Sequence, residues 1–430
     1  MLLEEETTKN LEKNLSDLKE KYAQVKAMHL NINIARGFPC REQLDANSEL
    51  FHLVDETNCF SEDGTDCRQY GVKEGLPEAK RLFSDLIGIP KENIVIGGES
   101  SFSLIYNEML RLYVFGFPGC RPWSEQKMAR KLKWLCPVPG YDCHFSITEA
   151  LGFEMIPIPI KEDGPDMDLV EQYANKDSAV KGIWCVPQYS NPTGDTYSDE
   201  TVERLAHLQP AADDFVIVWD NAYCVHHLFE KHVVKDIWKE TEKSKMQDHL
   251  IVFASTAKIT FPGSAISMIA AGDRLIQDIK DHLYLQLFSH DKINQLRHVR
   301  FLRSRKHIEE LMSRNAAFLR PKFDLVEKIL KEHQIYDDIY TFEKPDGGYF
   351  ITAYTHKGCA RRTLGMTEKA GVIIWFPGAA YPYHRDPDDA HVRLSPTFPD
   401  METLKTAISL FAVCAGIAGI EKELEARKKR

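Results

Sequence analysis

The chain has 430 residues, 43% hydrophobic and 27% charged, a length and balance that allow a large buried core in two or three domains. Its 54 Lys+Arg against 64 Asp+Glu leave a net charge of -10, so it lacks the basic field that draws in nucleic acid or anionic lipid. The ten cysteines are scattered without a Cys-x-x-Cys pair, which argues against a zinc site or a small disulfide scaffold and fits a reducing, cytoplasmic setting.

In chain order, residues 1–6 carry the acidic run Glu4-Glu5-Glu6 and show neither the basic start nor the apolar stretch of an export signal. Leu11, Leu15, Leu18, Tyr22 and Val25 then recur at spacings of four and three, which predicts a helix with one covered face. Short β-rich runs follow at 93–96, 133–136, 153–160, 182–186, 215–219, 250–253 and 266–270, separated by helical patterns such as 102–113. Strands alternating with helices imply crossover connections, hence an α/β fold with a mainly parallel seven-stranded sheet flanked by helices. After Arg274 the pattern is strongly helical to Lys331, then β-rich again around 347–354, 372–376 and 391–395, which reads as a smaller α+β domain. The apolar run at 407–420 is about 14 residues long, short for a membrane span and suited to a buried packing helix.

Ligands in such sheets gather beyond the carboxyl ends of the strands, and four polar elements fall there. Gly97-Gly98-Glu99-Ser100-Ser101 leads from a strand into a helix, whose free N–H groups and dipole suit a phosphate. Asn191-Pro192-Thr193-Gly194 is a turn that presents an amide. Asp220 and Tyr223 follow the third strand end, where the carboxylate can pair with a cation. Ser255-Thr256-Ala257-Lys258 ends the fourth, placing an amine where desolvation lowers its pKa, as condensation with an aldehyde requires. Alone, Asp220 reads as a helix cap and Lys258 as a surface lysine; their combination changes the reading.

Together these elements resemble the fold-type I pyridoxal-phosphate aminotransferases: Asp220 stands 29 residues after Asn191, and Lys258 stands 38 after Asp220. The stretches Ile34-Ala-Arg36-Gly37-Phe-Pro39, Tyr70-Gly-Val-Lys-Glu-Gly75, Pro139-Gly140-Tyr141-Asp-Cys-His-Phe145 and Arg320-Pro-Lys-Phe323 are similar to a bacterial aspartate aminotransferase subgroup, over roughly residue 30 to the C-terminus. The resemblance implies the following roles. Lys258 carries pyridoxal 5'-phosphate covalently and shuttles the proton, Asp220 pairs with the pyridine nitrogen, and Asn191 and Tyr223 bond the 3'-oxygen. Tyr141 stacks on the ring. Gly98, Glu99, Ser100, Ser101 and Ser255 surround the phosphate, and Tyr70 reaches it from the neighbouring subunit of a homodimer with shared active sites. Arg393 clamps the substrate α-carboxylate, beside Asn191, Arg36 and Gly37; Arg36 is the candidate for a distal carboxylate, with bracing of the N-terminal segment as its alternative. The expected layout is residues 1–50 joining the small domain, 51–315 the cofactor domain and 316–430 the small domain. The expected substrates are aspartate and 2-oxoglutarate.

One position departs from the pattern: many relatives carry a phosphate-binding arginine eight residues after the lysine, and here that residue is Ile266. His226 and His227 invite a metal, but adjacent histidines point in different directions and no third ligand is spaced with them, so no metal is expected. Rival readings are a β-lyase on the same fold, a transcriptional regulator with an aminotransferase-like domain, and a nucleotide-binding oxidoreductase. The regulator needs a DNA-binding module larger than the 30 or so residues ahead of the matched region, and the oxidoreductase needs a Gly-x-Gly-x-x-Gly that is missing after 93–96.

Overall fold

Residues 1–429 are described by a computed structural model, and among them eight strands build the larger sheet. These are β1 (Ile94–Gly97), β2 (Lys133–Val138), β3 (Glu154–Lys161), β4 (Gly164–Pro165), β5 (Val180–Cys185), β6 (Val216–Asp220), β7 (Leu250–Ser255) and β8 (Ser267–Ala271). Their order across the sheet is β1-β8-β7-β6-β5-β2-β3-β4. The inner strands β3, β2, β5, β6 and β7 pair in parallel, whereas β8 runs antiparallel to both β1 and β7. The seven expected strands are all present, and β4, two residues long, adds an antiparallel eighth at one edge.

Continuous apolar runs make these strands because both faces of the sheet are covered. Ile217, Trp219, Val252, Ala254, Met268 and Ala270 join one core with helices Pro77–Ile87 and Asp199–Ala206. Their neighbours in sequence, Val216, Val218, Ile251, Phe253, Ile269 and Ala271, join the opposite core with helices Ser101–Phe115 and Asp273–Gln286. Register then sets the site: Cys185 lies opposite Trp219, and Asp220 opposite Phe253. The chain segments that leave β5, β6 and β7 therefore emerge side by side.

A third core gathers the N-terminal helix Thr8–Lys26, the long helix Arg305–His333 and the C-terminal helix Met401–Lys429 around an antiparallel sheet of Tyr340–Glu343, Ile351–Thr355 and His391–Leu394. The sequence pattern missed the first of these strands, whose alternating burial is confined to four residues. It also grouped 372–376 with the others; Val372–Ile373 instead pairs in parallel with Ile32–Asn33, tying the N-terminal segment to this region. Met401–Lys429 is long and apolar enough to cross a membrane by length and composition, but 78% of its apolar window is buried within the protein. It packs on Thr8–Lys26 so closely that a Cβ at Gly416 would stand 2.9 Å from Leu18 Cδ1. Burying Leu11 and Leu18 in that contact contributes about 2 kcal/mol apiece.

Candidate active site

A cavity of about 220 Å³ opens where β5, β6 and β7 end and the C-terminal region packs against them. Its lining includes Arg36, Gly37, Ser100, Ser101, Tyr141, Asn191, Asp220, Tyr223, Ser255, Lys258 and Arg393, so eleven of the residues singled out in the sequence converge there.

Asp220 closes β6 and is buried. Its Oδ2 lies 3.1 Å from His144 Nε2, while Oδ1 has no hydrogen-bond partner among the described residues. The His144 ring is stacked on Trp184, with centroids 4.5 Å apart and planes 12° off parallel. Trp184 Nε1 donates to Thr148 Oγ1, one turn further along the His144 helix. The carboxylate is thus fixed through one oxygen and unpaired at the other, on a residue that lines the cavity. The sequence carries no sign of this role for His144, because nothing local marks which face of helix Asp142–Ala150 meets β6.

Lys258 sits in the turn after β7, with Nζ 5.2 Å from the Tyr223 ring centroid and 5.9 Å from that of Tyr349. Burial lowers its pKa, opposed by the Asp220 charge and reinforced by the Arg393 charge. Burial also raises the pKa of the Tyr223 and Tyr141 hydroxyls, which stay protonated donors.

Arg393, central in its strand opposite Thr352, is 4% exposed. Its Nη1 donates to Asn191 Oδ1 at 3.1 Å and its Nη2 to the Ala35 carbonyl at 2.8 Å, and Nε has no partner among the described residues. The guanidinium is sandwiched by aromatic faces, 3.6 Å from the Trp375 centroid and 4.3 Å from that of Phe350. Desolvation lowers its pKa to about 10, still far enough above neutrality to keep the charge. Neutral oxygens orient this cation without cancelling it, which leaves it ready for an anion. Gly37 lets the N-terminal segment pass over Phe350, since a Cβ there would lie 2.6 Å from two of that ring's carbons. Arg36 beside it is exposed at the cavity mouth.

The opposite end is built differently. Ser100 precedes helix Ser101–Phe115 in an extended conformation, and among the described residues its side chain makes no capping bond. Ser255 accepts only a long contact, 3.4 Å, from the Ala257 N–H. Gly98 and Glu99 lie just outside the lining, Gly98 with its carbonyl held by Ser267 Oγ at 2.8 Å and Glu99 exposed. Tyr70 stands away from this cavity, 82% exposed, with its ring 5.6 Å from that of Phe288. Ile266 is a core residue, 1% exposed, whose N–H donates to Thr256 Oγ1. His226 and His227 lie outside the lining too; burial drives their pKa values to about 3 and about 4, and His227 Nδ1 is 2.7 Å from the Tyr189 hydroxyl.

Residues 6–427 match the aspartate amino-transferase family. The chain is 40% identical over 404 residues to a Mycolicibacterium smegmatis protein named as an aminotransferase, spanning 93% of this chain and 94% of that one. It is 37% identical over 407 residues to an aspartate aminotransferase of Corynebacterium glutamicum, spanning 94% and 93%. The crystal structure of an aspartate transaminase from Corynebacterium glutamicum superimposes with a TM-score of 0.94 at 36% identity, covering 98% of this chain and 99% of that one. A match over nearly the whole chain, joined to a fold that carries its polar side chains to the strand ends, makes this protein an aminotransferase of fold type I and a member of the aspartate aminotransferase family.

Proposed function

We propose that this aminotransferase holds pyridoxal 5'-phosphate on Lys258 and moves the amino group of aspartate to 2-oxoglutarate. The observation that carries the reading is Asp220 Oδ1, a buried oxygen with no partner among the described residues, on a residue that lines the cavity. Leaving such an oxygen unpaired is costly, and the protonated pyridine nitrogen of the cofactor is a group that satisfies it. The other donors fit as well. The Lys258 amine suits the aldehyde, Asn191 and Tyr223 the phenolic oxygen, and the Tyr141 ring a stacking face. The hydroxyls of Ser100, Ser101 and Ser255, with the free N–H groups at the start of helix Ser101–Phe115, suit a phosphate, and Gly98 and Glu99 add backbone N–H groups.

Bound there, the cofactor supplies a cationic conjugated ring that withdraws the charge developing at the substrate α-carbon. Asp220, pinned by His144, keeps the proton on the ring nitrogen. Lys258, its pKa lowered by burial, would take the α-proton as a free amine once the substrate's amino group has replaced it on the cofactor. Arg393 receives the α-carboxylate in a two-pronged bond, turning the α C–H toward the amine. Arg36, whose charge reaches the same cavity mouth, binds the distal carboxylate that marks both substrates as dicarboxylates. Tyr70 completes the phosphate end from a second copy in a cytoplasmic homodimer. Residues 51–315 form the cofactor domain, and residues 1–50 and 316–430 close it.

The test is a scan of amino donors with 2-oxoglutarate on the purified enzyme, monitoring the visible absorbance band. Aspartate as the fastest donor supports the reading. Pyruvate and ammonia from a β-substituted amino acid, outpacing amino transfer, would make the protein a lyase instead.

A further inference from the structure

The turn that carries Lys258 is closed by Thr256, whose carbonyl accepts from the N–H groups of Ile259 and Thr260, both at 2.8 Å. Two threonines therefore flank the lysine, each two residues away, and both are 1% exposed. Behind them lies helix Lys292–Leu302, which contributes His298, also 1% exposed.

The directions of the hydrogen bonds around this ring follow from what each atom can do. His298 Nδ1 is 2.9 Å from the Asn294 carbonyl, an acceptor only, so Nδ1 carries the proton. Nε2 of the neutral ring is then an acceptor, and Thr260 Oγ1, 2.9 Å away, donates to it. With its one proton spent, Thr260 Oγ1 accepts from Thr256 Oγ1 at 3.2 Å, and Thr256 Oγ1 in turn accepts from the Ile266 N–H at 3.1 Å. The result is a chain of four bonds running from β8's approach, across both threonines, to the helix backbone, with the Thr256 carbonyl, 3.1 Å from Thr260 Oγ1, as a second acceptor beside that hydroxyl. Burial holds the ring neutral by driving its pKa to about 4. The same helix grips the rest of the loop through Asn294 Nδ2, which donates to the carbonyls of Ser264 at 2.8 Å and Ala265 at 3.0 Å.

We propose that His298 is a positioning residue for the amino-transfer reaction: through Thr260 and Thr256 it fixes the turn on which Lys258 is mounted, and so sets where the amine stands. His298 is not among the residues that line the cavity, so it acts through the turn. The chain is directional, and buried side chains offer no water to repair it. Replacing the ring by an apolar group turns the Thr260 hydroxyl back onto the Thr256 carbonyl, 3.1 Å away, and cuts the turn's link to the helix; a misplacement of about 1 Å in a reacting group costs up to about a hundredfold in rate.

The test compares His298→Leu with His298→Gln in the full-length enzyme loaded with pyridoxal 5'-phosphate. Gln offers one acceptor and one donor and keeps the chain's polarity. For His298→Leu, kcat falls by about ten- to a hundredfold while KM for aspartate moves by less than about twofold, and the pH midpoint of the visible absorbance band shifts by about half a unit or more. His298→Gln recovers most of both. Nitrogen-15 histidine spectra of the wild-type protein show the proton on Nδ1. A folded His298→Leu enzyme with wild-type kcat and spectral midpoint overturns the proposal. So does a variant that loses only thermal stability, or a wild-type ring protonated on Nε2. If His298→Leu does not fold, Thr260→Val against Thr260→Ser asks the same question, and equal kcat and midpoint in those two variants overturn it.

Discussion

The two ends of the cleft differ in how much of their geometry this chain settles by itself. At the deep end, Asp220 is held by His144, and Arg393 by Asn191 and the Ala35 carbonyl, while one oxygen and one nitrogen, Asp220 Oδ1 and Arg393 Nε, have no partner among the described residues. At the outer end, Ser100, Ser101 and Ser255 are half-buried with few fixed bonds, Arg36 is exposed, and Tyr70 is 82% exposed. A charge buried in low dielectric must be oriented in advance, because rearranging it later is costly. Hydroxyls and helix N–H groups near water can wait for an anion, and for a second subunit, to order them. Reactivity therefore belongs to the deep end and affinity to the outer end.

Substitutions can break or sharpen that division. Lys258→Ala removes the base itself and lowers kcat by about 10⁴-fold, the upper range for acid–base catalysis, measured in steady state with aspartate. Arg393→Lys gives up the two-pronged grip; losing charge-assisted bonds worth about 3 kcal/mol lowers kcat/KM by about a hundredfold, with catalysis of monocarboxylate and dicarboxylate donors depressed alike. His144→Ala frees Asp220 to rotate and lowers kcat by about tenfold, with little change in the amount of cofactor bound. Ser101→Ala, at the outer end, weakens cofactor binding by about two- to fivefold in an apo-enzyme titration and leaves kcat at saturation unchanged. A large loss of kcat from Ser101→Ala, or a large loss of cofactor affinity with intact kcat from His144→Ala, would erase the distinction between the two ends.

How much of this was legible in the sequence follows the same line. Strands β6 and β7 are apolar on both faces and end in polar residues, so 215–219 and 250–253 came within one or two residues of the observed Val216–Asp220 and Leu250–Ser255. Spacing along the chain then brought Asn191, Asp220 and Lys258 together. Residues that reach the site through packing left no such trace. His144 meets Asp220 because a helix face docks on β6, and Trp375 covers Arg393 from a region the pattern had read as strand. The threonines around Lys258 were in plain view, but their link to His298 spans 38 residues and depends on how helix Lys292–Leu302 lies. The apolar run at 407–420 marked only the most buried part of Met401–Lys429, because charged residues at its end continue the same helix. Ile266, which looked like a gap in the phosphate shell, is a core position whose side chain packs with the sheet.

The most direct measurement is reduction of the holoenzyme with borohydride, followed by proteolysis and mass spectrometry of the labelled peptide. The expected result is one phosphopyridoxyl group per chain, attached at Lys258. A label on any other lysine, or none on a protein that still transfers amino groups, would contradict the claim that the amine after β7 and the carboxylate after β6 grip one cofactor.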